Sequence, residues 1–569
     1  MRKITKILAA VLSCAMIGGT LAACGGGTGA SDSSSAGQPS QSTPAAKYYT
    51  VTFDADGGKL TGGTSVQVEQ GKSVTLPSAE KEGYTLTGWF DGDTLAGEAG
   101  ASYTPTANVT LKARWEADSA AYAAINKGRA VEYGKLIEEL YWNSDTKLSK
   151  LTPDGGTPYC WPYTEQLSMV NAILLTMDET DEDRAFFENY LEELIEGMRH
   201  YRVGTVNMGS GESWENPDHY LAAFGENDGT ANSYAIYNSG RRDDAVDGVS
   251  AGLSGIFFDD NIWVAKEFYY AYINLGDVKY LNESVNIVNW IIGEGYEETA
   301  GLNGIYWKWA AKFLFEDKAG GGGLDDNNHA SLNACSSAPT SMMLVKLYNA
   351  MGDESLNGKF DALRDDYLSK AQNIYEFCYS VLRNPTSGCL RDKIFLREGF
   401  EEMTDQNQQI QLIDQQELGY NTGTFMTAGA ELYNQAVAAG KDAVARVYRN
   451  RNIQVAEDAD RKFANTQVVQ GEYSYGNHSW FTSFLLEGFI DLSESVPECA
   501  EYIEHMRSSL DYAWTNNRAD DSLVSPSWIE GWDSFSDNGA NSEGNPRQIL
   551  LQSANAHCYA MLARYYAGL

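Results

Sequence analysis

From about residue 118 to the C-terminus, apolar positions recur at helical spacing. The runs lie near 120–142, 164–178, 183–201, 260–275, 278–293, 328–351, 363–383, 421–439, 441–465, 479–492, 498–517 and 546–567. About twelve runs, joined by alternately short and long connections, predict about six helical hairpins. Alternating inner and outer, such hairpins close as an all-α (α/α)6 toroid. A helical solenoid is the rival, but no fixed repeat period is present. Gly276-Asp277 and Gly352-Asp353 are expected helix ends, where glycine supplies a left-handed cap. The longest connections, 204–250, 318–328, 392–419 and 517–545, are expected to gather at one mouth and carry the site.

Upstream the period changes. Residues 47–117 alternate with a period of two, with strands expected at 49–53, 66–68, 73–76, 84–90 and 109–115, and a turn at 54–58. This is a small β-rich unit preceding the helices. Residues 24–46 are rich in Gly, Ser, Thr, Pro and Gln and almost uncharged, which predicts a flexible tether. Residues 1–23 have a basic start at Arg2 and Lys3 and an apolar stretch, 7–17, too short to be a typical spanning helix. Leu21-Ala22-Ala23-Cys24 resembles a bacterial lipobox. That resemblance implies removal of the leader, lipidation of Cys24, and a protein anchored to the bacterial membrane and facing the extracellular side. An ordinary secretory signal is the alternative.

Composition narrows the partners. The formal net charge of −36 disfavours nucleic acid and anionic polymers and suits a neutral substrate. The 13 Trp and 34 Tyr supply rings of the kind that line carbohydrate clefts, although core packing accounts for most of them. Six cysteines follow Cys24 without a C-x-x-C spacing, and the six His form no H-E-x-x-H motif, so neither a metal nor a cofactor is expected. Cys378 and Cys389 are close enough in sequence for a local disulfide, with buried thiols as the alternative. A monomer is the default oligomeric state.

Five Asp-Asp pairs occur. Asp243-Asp244 follows two arginines, Asp325-Asp326 follows a glycine run, Asp365-Asp366 lies on a polar helix face, and Asp520-Asp521 sits in a loop after Arg518. Only Asp259-Asp260 is embedded among aromatic and aliphatic residues, Phe257, Phe258, Ile262 and Trp263. One reading is helix capping. The other is catalytic: burying two like charges leaves one carboxyl protonated near neutrality, an acid and a base in one place.

The segment FFDDNIWVAKEFYYAYINLGDVKYL resembles the signature of glycoside hydrolase family 76, the endo-α-1,6-mannanases. Three further stretches follow in the family's order: 303–309 (NGIYWKW), 333–339 (NACSSAP) and 420–423 (YNTG). The resemblance spans roughly 120–569. It implies an (α/α)6 barrel, retaining hydrolysis of α-1,6-linked mannan, Asp259 as nucleophile and Asp260 as general acid/base. Two positions depart from the family pattern: Ser337 stands where Asn is usual and Thr422 where Gln is usual, and both are candidates for lining the sugar cleft. Residues 47–116 resemble the Listeria–Bacteroides repeat, a β-grasp-like extracellular module, which implies a spacer or adhesive role.

Other candidates for sugar contact are Trp307 and Trp309, one of them expected in the core, and Asn333, Tyr420 and Asn421, which can bond hydroxyls or cap helices. Trp161 and Tyr163 are expected in a loop ahead of a helix. His478 and Trp480 begin a helix and carry no assigned role. Competing functions are another (α/α)6 sugar enzyme, of glucuronyl hydrolase or epimerase type, and a non-catalytic surface glycan-binding lipoprotein. Basic mouth loops would favour the glucuronyl hydrolase, and His chemistry the epimerase.

Overall fold

In a computed structural model, residues 46–208, 210–215, 234–241, 250–315, 324, 328–466, 472–475, 478–534 and 545–569 are described. The leader, Cys24, nearly all of the tether, Asp243-Asp244 and Asp325-Asp326 lie outside the described residues.

The alternating segment forms one five-stranded sheet. Its strands are β1 (Tyr48–Asp54), β2 (Ser65–Glu69), β3 (Tyr84–Asp91), β4 (Thr94–Gly97) and β5 (Val109–Ala117), in the order β2-β1-β5-β3-β4. The central pair β1 and β5 is parallel and the other pairings are antiparallel. The expected strand at 73–76 is a two-residue ladder, Val74–Thr75 against Ser102–Tyr103. Val51 and Phe53, two apart on β1, point into a small core with Leu111, Ala113 and Trp89, as the period-two pattern requires. Trp89 can be fully buried because its Nε1 donates to Pro77 O at 2.8 Å.

Among the described residues, the helical domain contains twelve long helices: α1 (Ser119–Tyr141), α2 (Cys160–Leu174), α3 (Arg184–Met198), α4 (Phe258–Leu275), α5 (Val278–Trp290), α6 (Ala334–Ala350), α7 (Asp361–Phe377), α8 (Gly419–Ala438), α9 (Asp442–Phe463), α10 (Ser479–Leu492), α11 (Cys499–Asn516) and α12 (Ile549–Ala567). The even-numbered helices pack in a closed ring, α2-α4-α6-α8-α10-α12 and back to α2, and each odd-numbered helix packs outside a neighbour. This is the (α/α)6 toroid. Inner helices are buried nearly all round: on α6 and α12 buried residues run almost without a break. Outer helices such as α3 bury one stripe. Small residues let inner helices approach closely. A Cβ on Gly423 of α8 would lie 2.2 Å from Phe484 O of α10, so only glycine fits there.

Several ends differ from expectation for local reasons. Helix α2 begins at Cys160, because Pro162 falls in the first turn, where its missing N–H has no intrahelical partner to lose. Trp161 and Tyr163 are therefore helical rather than loop. Helix α6 begins at Ala334, because β6 (Ser331–Asn333) pairs with β7 (Lys393–Leu396), which in turn pairs with β8 (Ile410–Ile413). Gly276 takes the left-handed cap of α4 at φ 72°, but Gly352 is not left-handed. All six described cysteines are free and buried, so Cys378 and Cys389 are thiols. Among the described residues, no helix is long and apolar enough to cross a membrane.

The two domains touch through a buried charged and aromatic knot. Arg507 on α11, 3% exposed, donates to Tyr84 OH of β3 at 2.9 Å and to Glu504 Oε2 at 2.8 Å, and lies 4.2 Å from the Tyr122 ring centroid. Tyr566 OH, near the end of α12, donates to Glu504 Oε2 at 2.9 Å.

Candidate active site

The inner helices run parallel, so their first turns converge at one mouth. A cavity of about 210 Å³ opens there, and its lining includes Asp259, Asp260, Cys335, Tyr420 and Trp480, each in the first turn of an inner helix. The positive ends of the helix dipoles thus face the acid pair and favour negative charge there. A larger cavity, about 580 Å³, lies at the opposite end among the C-terminal halves of the inner helices; its carboxylates, Glu267, Glu487, Asp491 and Glu494, share it with the cations Lys266 and Arg564 and are not consecutive in the chain.

Asp259 and Asp260 follow Phe258, the first residue of α4. The N-cap is Phe257, without a side-chain cap, so neither carboxylate is the capping residue. Asp259 does satisfy one orphan amide, since its Oδ1 accepts from Asp260 N at 3.0 Å. The helix start is held from three sides. Phe258 N donates to Trp307 O at 2.9 Å and Trp309 N to Ile256 O at 3.2 Å, which binds the 306–309 loop to the entry of α4. Buried Asn261 accepts from Tyr237 N at 2.7 Å and donates to Tyr237 O at 2.9 Å and Phe257 O at 2.7 Å. The Trp307 indole then donates to Asp259 Oδ2 at 3.0 Å.

The two carboxyls are treated unequally. Burial raises Asp259 to about 6, opposed by donors that favour the anion: the Trp307 indole, the Asp260 amide and the Cys335 thiol. Burial and then the adjacent Asp259 charge push Asp260 well above the usual carboxylate range, and only Ser239 opposes them. Asp259 therefore ionises first and Asp260 keeps its proton. The pair can supply an anion and an acid side by side.

Of the residues singled out from sequence, Trp161, Trp307, Asn333 and Tyr420 line this cleft with the acid pair. Three do not. Trp309 is 1% exposed and packed against Trp290 and Trp214, so of the two tryptophans it is the core one. Tyr163 is fully buried, with its OH donating to Leu194 O at 2.9 Å. Asn421 is buried behind the cleft and donates to Asp392 Oδ1 at 3.1 Å. Ser337 and Thr422 are also internal. Each accepts a backbone N–H, from Ile305 at 2.9 Å and from Leu390 at 3.1 Å, so they shape loops rather than touch the cleft.

Sequence reasoning gave no cleft role to Trp263, Cys335 or Trp480, although it named them, and it missed the pair Asp392-Lys393, whose side chains meet at 3.1 Å. The signal was available in part. Once inner helices are known to start at the mouth, their first-turn residues are cleft candidates, and Asp392 opens one of the long loops expected there. Among the described residues, no group of three or more His, Cys, Asp or Glu side chains is placed to hold a metal ion.

A sequence model of glycosyl hydrolase family 76 matches residues 256–552, and one of the Listeria-Bacteroides repeat domain matches residues 49–114. No curated protein matches the chain in sequence. Solved structures share the fold. A family 76 mannosidase from Bacteroides thetaiotaomicron VPI-5482 superposes with a TM-score of 0.54 at 19% identity, covering 77% of this chain and 98% of that one. A family 76 hydrolase from a bovine strain of the same species gives 0.54 at 17%, covering 88% and 86%. The family 76 α-1,6-mannanase of Salegentibacter sp. gives 0.50 at 16%, covering 77% and 99%. An inactive variant of that enzyme, with asparagine in place of aspartate at two consecutive positions, is in complex with α-1,6-mannotriose.

Proposed function

This chain belongs to glycosyl hydrolase family 76 and is a glycoside hydrolase, and from that premise we propose that it is a retaining endo-α-1,6-mannanase. The observation that carries the mechanism is the unequal environment of the adjacent carboxylates. Three donors stabilise the Asp259 anion, which suits a nucleophile, whereas burial and its neighbour's charge keep Asp260 protonated, which suits a general acid. The Asp259 carboxylate attacks the anomeric carbon as the glycosidic C–O bond breaks, and the leaving oxygen takes the Asp260 proton. Asp260, now a carboxylate, removes a proton from water. That water attacks the anomeric carbon of the glycosyl ester and releases Asp259, with configuration retained after two inversions.

Substrate choice is supported by the match to family 76, by the aromatic wall of Trp161, Trp307 and Tyr420, and by the strongly acidic chain, which favours an uncharged polysaccharide. The test is product analysis. Debranched α-1,6-mannan treated with wild type is expected to give a ladder of oligosaccharides, and Asp259→Ala and Asp260→Ala are expected to give none. Release of mannose alone contradicts endo action, and full release by either variant removes the catalytic assignment.

The lipobox-like stretch ending at Cys24 supports a cell-surface anchor, with the acyl chains on Cys24 and the 24–46 segment as spacer. Expressed with its leader in a bacterium, the protein is expected in the membrane fraction as a monomer, and Cys24→Ala in the soluble fraction. Equal partition of the two removes the anchor.

A further inference from the structure

One buried carboxylate near the cleft has no part in the proposed mechanism. Glu165, on the second turn of α2, is 2% exposed and does not line the cleft. Its Oε2 accepts from Trp480 Nε1 of α10 at 3.0 Å, and its Oε1 lies 3.0 Å from His557 Nδ1 of α12. It thus ties together the neighbouring inner helices α10 and α12 from the first half of α2. An anion in such a place is costly unless it is hydrogen-bonded, so its partners matter.

Trp480 is the more informative of those partners. It is 3% exposed, and its ring meets four others that line the cleft: Trp161 at 4.8 Å, Tyr420 at 5.2 Å, Phe481 at 5.4 Å and Trp263 at 6.0 Å between centroids. Trp161 and Tyr420 are only part-buried, so they are surfaces a sugar can meet. An indole has one polar atom, and ring contacts alone do not specify which edge of the ring points where. The bond to Glu165 does. Turned over, Trp480 would bury an unpaired N–H and leave a carboxylate oxygen short of a donor.

We propose that Glu165 is a positioning residue of the sugar cleft, acting through Trp480 to set the ring wall that includes Trp161 and Tyr420. This rests on the mannanase reading for its kinetic readout, and on the geometry alone for its spectroscopic one.

The test compares Glu165→Gln, Glu165→Ala and Trp480→Phe in the whole chain. Glutamine keeps an acceptor for the indole and offers an amide to the other tautomer of His557, so Glu165→Gln is expected to keep KM for α-1,6-mannan within about threefold. Glu165→Ala is expected to raise KM about tenfold with kcat changed less than about threefold, because it disturbs sugar contacts and leaves the acid pair in place. Trp480→Phe keeps a ring and loses the bond, and is expected to raise KM several-fold. Adding Glu165→Ala to Trp480→Phe is expected to change KM no further. A lowered melting temperature with unchanged KM in Glu165→Ala, or an equal KM effect in both backgrounds, overturns the proposal. If Glu165→Ala does not fold, an unchanged KM in Trp480→Phe overturns it equally. Inactivity of the wild type on α-1,6-mannan would remove the mannanase reading but not this one. In that case the near-ultraviolet circular dichroism change caused by Glu165→Ala is still expected to vanish in the Trp480→Phe background, and its persistence there contradicts the proposal.

Discussion

The indole of Trp307 donates to Oδ2 of Asp259 at 3.0 Å, and the same residue's carbonyl accepts from Phe258 N at 2.9 Å. One residue thus holds the start of α4 and stabilises the anion of the carboxylate beside it. Removing the donor destabilises the charged form, which raises the Asp259 pKa. Trp307→Phe is therefore expected to move the acid limb of the pH–rate profile upward and to lower kcat/KM by about 10²-fold. An acid limb that stays in place shows that the bond does not tune Asp259.

The acid pair is expected to cost stability. The folded state raises Asp259 from 3.8 to about 6 through burial, so the folded state prefers the protonated form. Its favourable contribution is complete below about pH 3.8 and is lost as pH rises toward and past about 6. Asp259→Asn is therefore expected to be more stable than wild type at pH 7–8, by on the order of 2 kcal/mol, with the difference gone near pH 3.5. Denaturant melts at both pH values measure it.

Asn261 bridges the two strands of backbone that frame the acids. Asn261→Ala leaves Tyr237 N and O without this side-chain partner, while Phe257 O keeps only the backbone N–H of residue 261. A loss of about 2–4 kcal/mol in urea unfolding is expected, with activity falling as the start of α4 loosens.

Arg507 sits at the end of the barrel away from the cleft, where β3 meets α11 and α12. Arg507→Ala is expected to lower unfolding stability by about 3 kcal/mol, because Glu504 loses a buried partner and Tyr84 its donor. Steady-state assays should show kcat/KM unchanged, since the acid pair lies at the opposite mouth.

The toroid was legible because outer helices such as α3, α9 and α11 bury one stripe at helical spacing while the inner helices read as long, nearly unbroken runs of buried residues, and α10 occupies 479–492 as its apolar run predicts. What local pattern cannot encode is long-range pairing. Ser331–Asn333 reads as the start of a helix and is a strand only because Lys393–Leu396 lies beside it. The same limit applied to the site. Asp259-Asp260 stood out by its apolar neighbours, but nothing local separates Trp307 from Trp309, two residues apart in one loop. The first turns toward Asp259, and the second turns back into the core against Trp290. Glu165 was silent in sequence because its role is defined by Trp480 and His557, more than 300 residues away.

The central claim is that Asp259 forms a glycosyl ester that Asp260-activated water resolves. Proton NMR of debranched α-1,6-mannan during the first minutes of hydrolysis tests it most directly. The account predicts that new reducing ends appear first as the α-anomer, that the β-anomer follows only by mutarotation, and that Asp259→Asn gives neither. Initial appearance of the β-anomer, or release by Asp259→Asn at the wild-type rate, would contradict it.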